Sequence, residues 1–114
     1  MEVIVTGGRY YDNRAKVYEE LDKLKPTKII QGGASGADFI AKSYAIDNGI
    51  PCHTEKADWE TYGKAAGPIR NEIMCMKHRE ATVLAFPGGA GTANCIRHGK
   101  TWCKQVIEVK DGEI

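Results

Sequence analysis

The stretch TVLAFPGGAGT, residues 82–92, joins a short apolar run to a glycine-rich turn, and it decides the fold. Two other stretches are built the same way, VIVTGGR at residues 3–9 and KIIQGGASGAD at residues 28–38. The apolar runs do not alternate with polar residues, which is typical of strands that are covered on both faces. Residues 51–54 and 106–109 predict two further strands of the same kind.

Amphipathic helices are predicted between the first three strands. Val17 and Leu21 recur at helical spacing, with Asp12 or Asn13 available as the N-cap. A second helix is indicated by the apolar positions of residues 37–45.

Two more helices are predicted in the second half of the chain. One begins at Gly67-Pro68, with Pro68 in its first position and Ile69, Ile73 and Met76 on its buried face. The other extends over residues 92–98 and is closed by Gly99.

Together these elements predict an α/β fold. Strands that alternate with helices form a parallel sheet with helices on both faces. We therefore expect one compact domain over residues 1–114 with a Rossmann-like, doubly wound, mostly parallel sheet of five strands flanked by helices. Ligands bind such sheets at the carboxyl edge, at the point where the strand order reverses, which for an order of 3-2-1-4-5 lies between strands one and four.

Charge and composition exclude several classes of protein. The chain has 114 residues with 16 Lys+Arg against 15 Asp+Glu, a net charge of +1. That balance argues against a protein held to nucleic acid or anionic lipid by its overall charge. No apolar run is long enough to cross a membrane, so we expect a cytoplasmic protein. The four cysteines form no C-x-x-C pair, which favours free thiols and no metal site.

Three glycine clusters follow three of the predicted strands and therefore lie at the carboxyl edge of the sheet. One such turn could serve only to reverse the chain, but three at one edge favour a site where backbone N–H groups bind phosphate. The spacing matches neither the P-loop nor the G-x-G-x-x-G pattern, so no cofactor is predicted. The candidate ligand-binding residues are Gly7, Gly8, Arg9, Gly32, Gly33, Ser35, Gly36, Asp38, Trp59, Lys64, Arg70, Asn71, Pro87, Gly88, Gly89, Gly91 and Thr92.

Several of these side chains have two interpretations. Arg70 would grip a phosphate or form a surface ion pair, and Asp38 would contact ribose hydroxyls or only stabilise the first turn of its helix. Ser35 would cap that helix or donate to a phosphate. Trp59 would stack on a base or form core or dimer contacts, and Lys64 is a candidate phosphate contact.

The order of several motifs resembles the SLOG superfamily, specifically its small YspA/YpsA-related branch. The motifs are GGASGAD at 32–38, ADW at 57–59, YGKAAGPIRN at 62–71 with Met74, and FPGGAGT at 86–92. The resemblance covers essentially the whole chain. It implies a Rossmann-like domain that binds a nucleotide or a nucleotide-derived ligand, as a sensor, sequestering module or processing enzyme in nucleotide signalling and phage conflict.

The LOG phosphoribohydrolases of this superfamily cleave nucleoside 5′-monophosphates to free base and ribose 5-phosphate. Their signature, P-G-G-x-G-T-x-x-E with an upstream R-x-x-x-M, resembles residues 87–92 and the pair Arg70 and Met74. The position of the glutamate is Cys95 in this chain. A thiol cannot replace a carboxylate that accepts hydrogen bonds from ribose hydroxyls.

These observations leave three functional hypotheses. The first is a module that binds a nucleotide, a phosphoribosyl compound or an ADP-ribose-like ligand. The second is an N-glycosidic phosphoribohydrolase in which Arg70 and Asp38 are the catalytic residues. The third is the single-stranded DNA binding of DprA, a member of the superfamily, against which the net charge argues. The LOG resemblance also implies a homodimer.

Overall fold

A computed structural model describes residues 1–110 of the chain. Its elements, in chain order, are β1 (Glu2–Thr6), α1 (Arg14–Leu24), β2 (Lys28–Gln31), α2 (Ala37–Asp47), β3 (Cys52–Thr54), α3 (Trp59–Tyr62), a 3₁₀ turn (Gly63–Ala65), α4 (Ala66–Lys77), β4 (Thr82–Ala85), α5 (Ala90–Trp102) and β5 (Gln105–Glu108).

The five strands form one sheet in the order β3-β2-β1-β4-β5, and all four neighbouring pairs are parallel. The predicted fold class is therefore confirmed, and the strand order is the one for which the ligand position was considered. The strand order reverses between β1 and β4, so the loops that follow these two strands flank the point where ligands bind in doubly wound sheets.

Side chains of the central strands are buried on both faces of the sheet. Val3 and Val5 of β1 belong to a core that α1 and α2 cover, whereas Ile4 faces a second core under α4 and α5. Opposite facing of neighbouring residues follows from the pleat of a strand. A strand that is apolar on both faces shows no alternation of apolar and polar residues, which explains the continuous apolar runs in the sequence.

The ends of α1 and α2 show which capping predictions hold. The side chain of Asn13 caps α1 by accepting from the N–H of Lys16 at 3.1 Å. In α2 the N-cap is Gly36, and no side chain caps the helix. The Ser35 hydroxyl donates instead to the carbonyl of Arg9 at 2.9 Å, so the prediction of a Ser35 cap is wrong.

Helix α5 extends beyond both predicted ends, and Gly99 lies inside it rather than closing it. A Cβ atom on Gly99 would lie 2.9 Å from side-chain atoms of both Val83 and Val106. The glycine therefore lets the helix backbone approach the sheet, which is a packing role and not a helix end.

The buried face of α4 also differs from the prediction. Ile73 and Met76 are 40% and 41% exposed, whereas Met74 and Cys75 are buried. The helix is turned so that Asn71, a polar residue, faces inward at 5% exposure. A prediction from hydrophobic periodicity places polar residues on the exposed face. It therefore chose the face of α4 opposite to the one that is buried.

The segment between β3 and α4 contains α3 and the 3₁₀ turn. Asp58 caps α3 by accepting from the N–H of Thr61 at 3.1 Å. Pro68 is the third residue of α4 and not its first. Within residues 1–110, no helix has both the length and the apolar character to cross a membrane.

Candidate functional site

A cleft of about 940 Å³ lies at the carboxyl edge of the sheet. The loops after β1, β2 and β4 line it together with the beginning of α4 and with Trp59. Its position corresponds to the strand-order reversal, as predicted, and its volume lies within the range of small-molecule sites.

The cleft gathers all of the predicted ligand-binding residues except Gly36 and Lys64. Lys64 is exposed and lies in the 3₁₀ turn outside the lining. The sequence analysis missed seven lining residues, namely Thr6, Tyr10, Tyr11, Ala34, Gly67, Pro68 and Ala90. Most are direct neighbours of predicted residues, so counting whole strand-to-helix loops would have found them.

The three glycine loops meet at Gly8. Its N–H donates to the carbonyl of Pro87 at 2.9 Å, and its carbonyl accepts from the N–H of Ala37 at 3.3 Å. Gly36 has a φ of 76°, and a Cβ atom there would collide with the Gly8 carbonyl. A Cβ atom on Gly88 would lie 2.6 Å from the Gly8 nitrogen. Gly36 is thus required by the contact between loops, and its place outside the cleft is consistent with that role.

The loop after β2 binds a carboxylate of its own chain. The N–H groups of Gly32 and Ala34 donate to Oδ2 of Asp38 at 3.1 and 3.2 Å. The N–H of Gly33 donates to Oε1 of Gln31, a buried side chain that also donates to Thr54. Three successive donors of this loop therefore have acceptors within the protein.

Asp38 is deeply buried beside the cleft, with 6% of its surface exposed. Burial raises the pKa of Asp38 to about 6, while the N–H of Ala34, the charge of Arg70 and the N–H of Gly32 lower it. Desolvation outweighs three favourable contacts because the charged carboxylate has lost its water. At neutral pH the ionised form still predominates and holds the loop.

Arg70 connects this loop to α5. Its Nη1 donates to the carbonyl of Gly32 at 2.6 Å, and its Nε donates to Oδ1 of Asn71 at 2.8 Å. Nδ2 of Asn71 donates in turn to Oδ1 of Asn94 at 3.0 Å and to the carbonyl of Gly91 at 3.3 Å. Of the two interpretations of Arg70, the surface ion pair is wrong, because the guanidinium belongs to a network that fixes the walls of the cleft relative to each other.

At the beginning of α5, few side chains cover the backbone that lines the cleft. Its N-cap is Gly89, and no side chain caps the helix. Cβ atoms on Gly89 or Gly91 would meet no atom within 4 Å, and neither glycine has a positive φ. Neither glycine is required by a crowded backbone or by a positive φ, and both leave the first turn of the helix open to the cleft. Unpaired N–H groups and the helix dipole favour an anion at such a position.

The charges around the cleft also favour an anionic ligand. Arg9 and Arg70 are the lining cations, and Asp38 is the lining acid. Arg9 is exposed, whereas the guanidinium of Arg70 is engaged with the protein. With Asp38 surrounded by donors of its own loop, the open side of the cleft is electropositive.

Cys95, at the position of the LOG glutamate, is inaccessible. It has no exposed surface and belongs to the core under α4 and α5. Contacts with the thiols of Cys103 and Cys95, together with burial, raise the pKa of Cys75. All four cysteines are free thiols, and within residues 1–110 no group of three or more possible ligands could hold a metal ion.

Large aromatic side chains stand at the cleft. Trp59 is 56% exposed and Tyr10 is 90% exposed. Tyr11 is half-buried, and its ring lies 5.3 Å from that of Phe86, in contact with the core. Trp59 therefore does not belong to the core, which leaves stacking on a base and a dimer contact as its interpretations.

Comparisons with known proteins identify the family of the chain. A family described as YAcAr, YspA, cpYpsA-related SLOG family, matches residues 1–62. The Gene 61 protein of Mycobacterium phage D29 is 34% identical over 121 aligned positions, which cover 96% of this chain and 96% of that protein. The matched range of the family contains β1, β2 and two of the three glycine loops.

Proposed function

Because the chain belongs to the YspA, cpYpsA-related SLOG family, we propose that its cleft binds the phosphate of a nucleotide or nucleotide-derived ligand at the N-terminus of α5. Membership of the family indicates a nucleotide-related ligand. Phosphoribosyl and ADP-ribose-like compounds fall within the proposed class.

One observation carries the proposal. Gly89 is the N-cap of α5 and Gly91 its second residue, and a Cβ atom at either position would project into empty space. A glycine costs about 0.5–1 kcal/mol relative to alanine within a helix. Gly91, kept inside the helix without a need for space or for a positive φ, is explained by a ligand that contacts the backbone, and Gly89 is a favourable N-cap that leaves the same helix end without a side chain.

The loop after β2 has a different part in the proposal. Its donors hold Asp38, and Arg70 holds its Gly32 carbonyl, so both side chains position the wall of the cleft. Arg9, exposed on the loop after β1, is the cation that reaches the phosphate. The proposed arrangement therefore has one principal anion site, at α5.

We further propose that the ligand is bound without being cleaved. A LOG-like reaction requires a carboxylate on the ribose, and the corresponding Cys95 is fully buried. Asp38 would have to replace it, but one of its oxygens is occupied by the loop after β2. Binding without turnover suits sensing or sequestration in nucleotide signalling or phage–host conflict.

The test is a thermal-shift panel of nucleoside mono-, di- and triphosphates, NAD, ADP-ribose, ribose 5-phosphate and a DNA oligonucleotide. A ligand at about 100 times its Kd adds about 2.7 kcal/mol, or about 10 °C for a domain of this size. We expect a shift with phosphate-bearing nucleotides and none with the oligonucleotide. Chromatography of each stabilising ligand after incubation should show no free base; its release would favour the phosphoribohydrolase.

A homodimer is the proposed state in solution. Ile69, Ile73 and Met76 form an apolar stripe on the outer side of α4, where Ile73 and Met76 are at least 40% exposed. Stripes with this spacing pair with another helix. Light scattering should therefore give twice the 12.5 kDa mass of one chain.

A further inference from the structure

We propose that Tyr10 and Trp59 form a stacking subsite that takes the nucleobase of the ligand without reading its hydrogen-bonding edge. This inference rests on the proposed function, because it concerns the other end of the same ligand. It adds Tyr10 to the site and predicts which bases are accepted.

The packing of the protein does not explain why the ring of Tyr10 is so exposed. Among the large hydrophobic side chains of residues 1–110 it is the most exposed, at 90%, and it lies in the cleft lining next to Arg9. Its neighbour Tyr11 packs its ring against Phe86 and is accounted for by the core. A fully exposed ring beside a phosphate site is suited to stack on a flat aromatic base.

Trp59 offers a second ring from another element of the same cleft. It begins α3, which Asp58 caps, so its backbone position is fixed by a hydrogen bond. The edge of its ring lies over Gly67, where a Cβ atom would be 3.5 Å from the indole. The indole is thus held at the start of α4 while 56% of the residue stays exposed.

The groups that read base edges are already engaged. Carboxylate, amide and guanidinium side chains provide bidentate base recognition. In the described lining Asp38, Asn71 and Arg70 hold other parts of the protein, and Arg9 is assigned to the phosphate by the proposed function. The base is therefore selected by stacking area, which favours purines over pyrimidines and hardly distinguishes adenine from guanine.

Tryptophan fluorescence tests this inference directly. Trp102→Phe removes the other tryptophan, which contacts Arg79 outside the cleft lining, and leaves Trp59 as the reporter. We expect AMP and GMP to quench Trp59 and to bind within about threefold of each other, and ribose 5-phosphate to bind more weakly without quenching.

Variants of Tyr10 distinguish the contribution of its ring to binding from the contribution of the rest of the site. Tyr10→Leu should weaken AMP binding by about fivefold or more while ribose 5-phosphate binding is unchanged, and Tyr10→Phe should restore AMP affinity. Tyr62→Ala is the matched control, because Tyr62 is 49% exposed but does not line the cleft.

The outcomes distinguish the two proposals. If ribose 5-phosphate and AMP bind equally well, and Tyr10→Leu affects neither, the stacking subsite is refuted while the phosphate site stands. A preference of more than tenfold between AMP and GMP would also overturn it, because an edge must then be read. If no phosphate compound binds, both proposals fail.

Discussion

Replacing Gly91 with glutamate should make the protein more stable and less able to bind its ligand. Gly91 is the second residue of α5, and the space around a Cβ atom there is empty. Removing a glycine from a helix and placing a carboxylate in its first turn are both favourable. We expect a gain of about 1 kcal/mol, which raises Tm by about 4 °C in a domain of this size.

The same carboxylate would occupy the place proposed for the phosphate. Two like charges a few ångströms apart near a protein surface repel by several kcal/mol, so we expect phosphate-bearing nucleotides to lose at least about tenfold in affinity, or ~1.4 kcal/mol. The assay is a pair of measurements on the same sample, the Tm of the free protein and the Kd of AMP by calorimetry.

A matched control is available in α1. Ala15 is the second residue of that helix and is exposed outside the cleft lining, so Ala15→Glu changes the net charge equally at another helix N-terminus. It should leave the affinity for AMP unchanged. The reasoning would be refuted if Gly91→Glu lowered Tm, or if it bound AMP as well as the wild type.

Three further predictions concern the carboxylate, the loop contact and the dimer. The raised pKa of Asp38 means that its folded state holds a proton more tightly than its unfolded state, so stability is lost as pH rises through about 6. Relative to Asp38→Asn, the wild type should lose about 2 kcal/mol of unfolding free energy between pH 4 and pH 7, measured by urea titration; a constant difference would contradict the burial effect. Gly36→Ala should cost at least about 2 kcal/mol because of its positive φ and its contact with Gly8, whereas Gly89→Ala should cost less than about 1 kcal/mol, and equal costs in thermal unfolding would be unexpected. Ile73→Asp should halve the mass measured by light scattering, and an unchanged dimer would place the interface elsewhere.

The sheet could be predicted from the sequence because its signals are local. Apolar runs without alternation and glycines after three strands were sufficient for a parallel sheet flanked by helices and for the edge that holds the cleft. The features that were missed depend on contacts between distant segments. Gly99 resembles a helix end until the side chains of Val83 and Val106 are placed beside it.

In the candidate site, too, local features could be predicted from the sequence and contacts between distant segments could not. Glycine clusters predicted backbone donors, but the sequence does not reveal that the donors of the β2 loop are taken by Gln31 and Asp38. Asn71 is polar, so no hydrophobic pattern could place it inside, and its burial turned α4 away from the predicted face. Which donors remain open to a ligand is decided by such tertiary hydrogen bonds.

Amide chemical shifts in a titration of ¹⁵N-labelled protein with AMP test the central claim most directly. We expect the largest changes at Gly89, Ala90, Gly91 and Thr92, with smaller ones at Arg9, because these N–H groups surround the proposed phosphate position. The amides of Gly32 and Ala34, which already donate to Asp38, should move little. Saturating AMP that left the α5 amides unchanged, or that shifted mainly the amides of the β2 loop, would contradict a phosphate site at the N-terminus of α5.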